Sequence, residues 1–223
     1  MHKCFEKIYL WVTGGWGCQR KEKIMKNILR NDFNKEMIVY AIAEPDTGHV
    51  ALNCSTIRKC MELGKKVLFY SLDQPEDRMT KRIGLNDNTN LLIKDKLVNN
   101  LEEINNTIDS FKPDLVIIDY FMLLTRDTKV EDIFVLNRIA KEHNIPFIVV
   151  THLSYIVNKG LDFNTITFDE FKEANSNSTP LIEEADRFIL FHQKGPKEYV
   201  LKELTNAYGE TEEFDIRDLL NEV

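Results

Sequence analysis

The sequence predicts an α/β fold, in which helices cover both faces of a mostly parallel central sheet. Apolar runs rich in β-branched and aromatic residues recur along the chain, and longer amphipathic stretches lie between them. This alternation is typical of parallel strands joined by crossover helices. The 223 residues, of which 43% are hydrophobic and 29% charged, have the composition of a globular protein rather than of a disordered one.

The predicted strands are short apolar runs bounded by turn residues. The first of them, MIVYAIA, is almost continuously apolar, as expected of a strand that is buried on both faces. In chain order the predicted strands are Met37–Ala43, Lys66–Leu72, Leu115–Asp119, Pro146–Thr151, Arg187–Phe191, Glu198–Lys202 and, at an edge of the sheet, Glu212–Ile216.

The predicted helices occupy amphipathic stretches between these strands. His49–Leu63 is followed by Gly64, the residue type that most often lies just beyond a helix end. Leu101–Phe111 is amphipathic and stops before Pro113, which would interrupt a longer helix. The remaining predicted helices are Val130–His143 and the short Phe168–Ala174.

Residues 1–36 are predicted to form a basic N-terminal segment ahead of a domain that spans residues 37–223. The segment carries eight Lys/Arg and four Asp/Glu, which leaves 21 basic and 32 acidic residues, a net charge of −11, for the domain. A short strand or hairpin and then an amphipathic helix are expected here. The helix carries one apolar stripe, formed by Ile24, Met25, Ile28 and Leu29. Because so short a helix is marginal alone, the stripe is expected to pack against its own core or against a partner.

Composition also limits the cellular context and the partners. The chain begins without a signal-peptide pattern, and its apolar runs are too short to span a bilayer. The four cysteines form no CxxC pair, which favours reduced thiols, a cytoplasmic protein and no zinc site. Because phosphate neutralisation requires a basic face, the acidic main body is expected to bind DNA weakly or not at all.

The turn after the first strand lies where α/β proteins bind phosphates. The usual motif is GxxxxGK[ST], and the corresponding residues here are Ala43–Val50, of which one glycine remains, Gly48. His49 stands where the motif has lysine, and Val50 where it has a hydroxyl residue. By itself this turn is a weak signal, because ordinary βα turns have similar compositions.

Five blocks of the sequence follow the order and spacing of one family's motor domain. They are MIVYAIAEPDTGHVALN, KKVLFYSLDQPEDRMTKRI, PDLVIIDYFMLLT, IAKEHNIPFIVVTHLS and LIEEADRFILF. Through them, residues 37–216 resemble the RecA-like motor domain of DnaB-type replicative helicases. The resemblance implies a RecA-like P-loop fold, a place in DNA replication, and ATP and Mg²⁺ as cofactors where the nucleotide site is functional.

The resemblance also implies roles for individual residues. Asp119 matches the aspartate linked to magnesium, Asp73 matches the catalytic glutamate, and His152 matches a phosphate-sensing residue. The positions that match nucleotide-binding residues are Gly48, His49, Val50 and Lys202. An ordinary alternative remains open, because an aspartate at a strand end often caps a turn and a histidine there is often only a satisfied polar group.

The departures from the family pattern concern the same site. His49 and Val50 remove the lysine charge and the magnesium-binding hydroxyl, while Glu44 and Asp46 add negative charge to the loop. Leu204 occupies the position of the arginine finger, for which neither Arg187 nor Arg217 has the spacing to substitute. The second loop that would face DNA, residues 158–180, is acidic.

Three functions remain open on these grounds. The first is a helicase-fold protein without efficient ATP hydrolysis that acts by binding a RecA-like or DnaB-type helicase subunit or a second copy of itself. The second is an active ATP-dependent DNA helicase or ATPase of that family with an atypical loop. The third is another P-loop-like enzyme, such as a small-molecule kinase. The altered loop, Leu204 and the acidic second loop favour the first.

Overall fold

A computed structural model describes most of the predicted domain. It covers residues 36–43, 48–84, 89–152, 162–163, 165–174, 179–195, 198–204 and 213–215, with the backbone alone for 193–195, 198–199 and 213–215. The four stripe residues Ile24, Met25, Ile28 and Leu29 lie outside the described residues, and so do Glu44, Asp46 and Arg217.

The described strands form one sheet in the order β3-β2-β4-β5-β1-β6-β7-β8. Pairing is parallel from β3 through β6, whereas β7 and β8 are added antiparallel at one edge. The strands are β1 Met37–Ile42, β2 Val67–Ser71, β3 Leu91–Lys94, β4 Leu115–Asp119, β5 Phe147–His152, β6 Arg187–Gly195, β7 Glu198–Glu203 and β8 Glu213–Asp215.

Helices pack on both faces of this sheet, because its strands alternate their buried side chains between two apolar clusters. Val39 and Ala41 of β1 join the cluster under α3 to α6, while Tyr40 and Ile42 join the cluster under α1 and α2. The helices are α1 His49–Glu62, α2 Glu76–Ile83, α3 Glu102–Phe111, α4 Asp132–His143, α5 Phe168–Ala174 and α6 Thr179–Glu184, with a 3₁₀ turn at Phe121–Leu123.

The predicted α/β architecture is confirmed. Each predicted strand and helix within the described residues is present, with small shifts at the ends. Gly64 has a φ of 72°, and the amides of Gly64 and Lys65 donate to Met61 and Cys60, which closes the end of α1 as expected.

The sequence did not predict β3, α2 or α6, each of eight residues or fewer. In β3 and α2 the apolar pattern is weak: α2 buries Met79 and Ile83, and β3 buries only Ile93. Among the described residues, no helix is long and apolar enough to span a lipid bilayer.

Candidate functional site

The predicted site residues follow strands that end side by side at one edge of the sheet. Ser71 of β2 pairs with Asp119 at the end of β4, and Asp119 pairs with Val150 of β5. His152 at the end of β5 pairs with Ile42 of β1. Because these strands are parallel, their carboxyl ends open into one crevice, the usual ligand-binding place of open α/β sheets.

Helix α1 begins at this crevice. Gly48 precedes it with a φ of 90°, a left-handed conformation that strains residues with a Cβ, and its carbonyl accepts the amide of Leu52 at 3.0 Å. His49 is the first helical residue and is buried, whereas Val50 is partly buried and packs against the apolar cluster under α1. The backbone turn of a phosphate loop is thus kept at Gly48, while the two following side chains differ in chemistry.

His49, Asn53 and Asp119 form a buried polar cluster. The Asn53 side-chain amide donates to Asp119 Oδ2 at 3.1 Å, and His49 Nε2 lies 3.9 Å from Asp119 Oδ1. Asn53 is fully buried, and His49 and Asp119 are each 6% exposed. The carboxyl group that resembles the magnesium-linked aspartate is therefore bound on one side by an amide of its own chain.

Burial controls the charges in this cluster. It raises the pKa of Asp119 from 3.8 to about 7, an effect that the Asn53 hydrogen bond opposes and the Asp73 carboxylate reinforces. Burial lowers the pKa of His49 from 6.5 to about 4, and His152 adds to this. At neutral pH His49 is therefore uncharged and brings no positive charge to the position where the motif has lysine.

Two aromatic rings line the rim of the cluster. The rings of Tyr120 and His152 are 4.0 Å apart at a 54° angle, and His49 lies 5.6 Å from Tyr120 and 6.3 Å from His152. Tyr120 and His152 are half-buried, while Asp73 is exposed. Burial lowers the pKa of His152, and the nearby Asp73 carboxylate partly offsets it. The structure thus brings Asp73, Asp119, His152 and His49 together at one edge.

Lys202 and Leu204 lie on and just after β7, two strands beyond β1 in the sheet. The Lys202 ammonium is buried and donates to the carbonyls of Ile166 at 2.8 Å and Phe163 at 3.5 Å. Leu204 is 1% exposed and belongs to the core. A part for Lys202 in nucleotide binding stays a prediction, and its ammonium already ties the segment at residues 163–166 to the sheet.

Arg187, considered above as a substitute finger, has a structural partner. Its guanidinium donates two bonds to Glu203, from Nε to Oε1 at 2.8 Å and from NH2 to Oε2 at 2.7 Å. Arg187 is 1% and Glu203 4% exposed. This buried bidentate pair joins β6 to β7 and keeps the Arg187 guanidinium inside the domain.

The sequence argument missed two members of the site, Asn53 and Tyr120. Asn53 lies four residues after His49 on α1 and therefore on the same helical face, a spacing that the sequence does contain. Tyr120 directly follows Asp119. Nothing in the pattern of α1 indicated that Asn53 would reach the end of β4, 66 positions away in the chain.

The groups present do not fit magnesium-bound ATP. A triphosphate needs positive charge and backbone donors, and magnesium needs ionised oxygen ligands or a hydroxyl. Here the first helical residue is a neutral histidine, the second is valine, and the buried carboxyl has a pKa of about 7. Within the described ranges, no group of three or more His, Cys, Asp or Glu side chains has a geometry that could hold a metal ion.

The opposed pKa shifts predict a specific pH dependence of stability. Asp119 stabilises the fold below pH 3.8 and loses this effect up to about pH 7, whereas His49 destabilises it as the pH falls from 6.5 to about 4. The two effects largely cancel between. In Asp119→Asn, the unfolding free energy relative to wild type should therefore rise with pH by about 1.4 kcal/mol per unit between pH 4 and 7.

Urea unfolding at several pH values measures this difference. The control, His49→Gln, should behave oppositely and gain stability relative to wild type as the pH falls from 6.5 to 4. A stability difference that is independent of pH in both variants contradicts the burial of this pair.

Comparison with solved structures supports the fold. A structure described as the ATPase domain of a DnaB-like helicase aligns with a TM-score of 0.66 and 14% sequence identity, covering 94% of this chain and 98% of that one. At this identity the likeness shows the fold alone, which is the RecA-like α/β fold. The sequence matches no protein-family model and no curated protein.

Proposed function

We propose that this chain is a helicase-fold protein that does not hydrolyse ATP efficiently and acts in DNA replication by binding another protein. The partner we favour is a RecA-like or DnaB-type helicase subunit, or a second copy of this chain. Asp73, Asp119 and His152 keep the positions of the family's catalytic residues, but in this proposal they no longer act on a nucleotide.

One observation carries the proposal: the cluster of His49, Asn53 and Asp119 at the start of α1. In it a neutral imidazole lies 3.9 Å from the carboxyl group, and an amide of the same chain binds that group's other oxygen. A phosphate approaching there would meet no cationic side chain from the first turn of α1. The buried Leu204 supports the same conclusion for the neighbouring subunit's site, because it offers no charge to a transition state.

The proposed partner surface is the apolar stripe formed by Ile24, Met25, Ile28 and Leu29. We expect the change of Ile24 and Ile28 together to Asp to abolish association while leaving the domain folded. Each apolar side chain buried at an interface contributes about 1.5–3 kcal/mol before ordering costs, so losing two should weaken binding by at least about a hundredfold. Mass measurement in solution, alone and with a RecA-like helicase domain, gives the readout.

The matched control replaces two lysines of the same segment, Lys23 and Lys26, by Gln, which removes charge but keeps the stripe. This variant should associate like the wild type. A wild-type chain that stays monomeric and binds no RecA-like domain at tens of micromolar contradicts the proposed partner. So does an Ile24/Ile28 variant that melts, because the stripe then belongs to the chain's own core.

A further inference from the structure

The buried cluster leaves three hydrogen-bonding atoms without partners among the described residues. They are His49 Nδ1, Asn53 Oδ1 and Asp119 Oδ1, and they belong to side chains that are all more than nine-tenths buried. Because His49 is uncharged, its free ring nitrogen can accept a hydrogen bond, as the amide and carboxyl oxygens do. Buried polar atoms are nearly always paired in folded proteins, so three of them on touching side chains indicate a missing donor.

The charge around these atoms is negative. The ionic group that most affects Asp119 is a second carboxylate, Asp73, which also acts on His152. The sequence adds Glu44 and Asp46 between β1 and α1. A site with these acceptors and carboxylates attracts a cation, whereas a phosphate-binding loop attracts an anion.

The geometry selects an organic cation over a metal ion. No metal-binding group of three or more His, Cys, Asp or Glu side chains occurs in the part of the chain that the structure describes. A guanidinium has five N–H donors in one plane and stacks on aromatic rings, and the half-buried Tyr120 and His152 rings line the rim. An ammonium has fewer donors and no flat face.

We propose that this crevice binds a guanidinium group, which a partner protein presents on an arginine side chain. The inference deepens the proposed function and rests on it, because an arginine can enter only where no nucleotide phosphate is bound. Asp119 Oδ1 and Asn53 Oδ1 accept from the guanidinium, His49 Nδ1 accepts a further N–H, and Tyr120 stacks against the plane. The crevice thus becomes a socket for a side chain of the partner.

The test uses the full chain and a small probe, N-acetyl-arginine amide. Histidine ring signals are followed by ¹H–¹³C NMR during titration, with His143 as an internal reference because it ends α4, just before the opposite edge of the sheet where β5 begins. The His49 and His152 signals should move saturably. The isosteric neutral probe N-acetyl-citrulline amide, and sodium chloride at equal ionic strength, should leave them in place.

Variants assign the site. Asp119→Asn should weaken the probe by about tenfold or more, because it removes the acceptor charge. His49→Lys, which places a resident ammonium there, should abolish probe binding even if the first variant does not fold. Glu62→Gln, at an exposed acidic residue at the end of α1, should change nothing.

The outcomes separate the two proposals. Equal effects of the arginine and citrulline probes, shifts that do not saturate, or undiminished binding by folded Asp119→Asn or His49→Lys overturn the guanidinium site. Addition of Mg-ATP to the same sample tests the proposed function independently: saturable shifts at micromolar nucleotide overturn the proposed function, whatever the probe does.

Discussion

Replacing Arg187 by Met should lower the free energy of unfolding by about 3–5 kcal/mol. Arg187 and Glu203 are almost completely buried and share two hydrogen bonds across β6 and β7. Removal of the guanidinium leaves the Glu203 carboxylate in the interior without its counter-charge, which costs far more than the pair itself contributes. Equilibrium urea unfolding followed by circular dichroism measures the difference.

The control is the exposed pair of Arg138 and Glu142 on α4, whose side chains are 67% and 60% exposed and 3.9 Å apart. Arg138→Met should change stability by less than about 0.5 kcal/mol, because water screens this pair. The double change Arg187→Met with Glu203→Leu should restore most of the stability lost in the single variant, since no buried charge remains. A loss below about 1 kcal/mol in Arg187→Met contradicts the buried pair.

Changing His49 to Lys together with Val50 to Thr should create measurable Mg-ATP binding. The lysine supplies the missing positive charge: two unit charges about 4 Å apart interact by roughly 4 kcal/mol at an effective dielectric constant near 20. Part of this is spent on burying the ammonium beside Asp119, so we expect binding to tighten by about tenfold to a hundredfold. Isothermal titration calorimetry gives the dissociation constant.

The same variant should not turn ATP over quickly. Leu204 is buried at the finger position, Arg187 is paired with Glu203, and the loss of an arginine finger reduces rates by about 10³–10⁵. Val50→Thr alone is the matched control and should bind much less, because it restores the hydroxyl without the charge. Fast DNA-stimulated hydrolysis by the double variant contradicts the assignment of Leu204.

The fold was predictable because its signals are local. The buried strands β1, β2, β4 and β5 are apolar runs that can be recognised without neighbours, and Gly64 indicated the end of α1. The strand ends then placed Asp73, Asp119 and His152 at one edge, since parallel strands share it. Short elements escaped: β3 and α2 bury one and two side chains, too few for a periodic pattern.

The contacts within the site were not predictable, because they join distant parts of the chain. Asn53 reaches Asp119 across 66 positions, and the Lys202 ammonium reaches the carbonyls of Phe163 and Ile166 across 39 and 36. Sequence comparison gives the residue types at each position but not which groups are already hydrogen-bonded. The neutrality of His49 likewise follows from its burial, which the sequence does not encode locally.

The central claim is that the crevice at the start of α1 is not an ATP site. Calorimetric titration of the wild-type chain with Mg-ATP at about pH 7.5, with and without single-stranded DNA, tests it most directly. The account predicts heats equal to dilution up to about 1 mM nucleotide, a binding free energy weaker than about −4 kcal/mol, and no phosphate release. Saturable binding with a low-micromolar dissociation constant, together with DNA-stimulated hydrolysis, would contradict it.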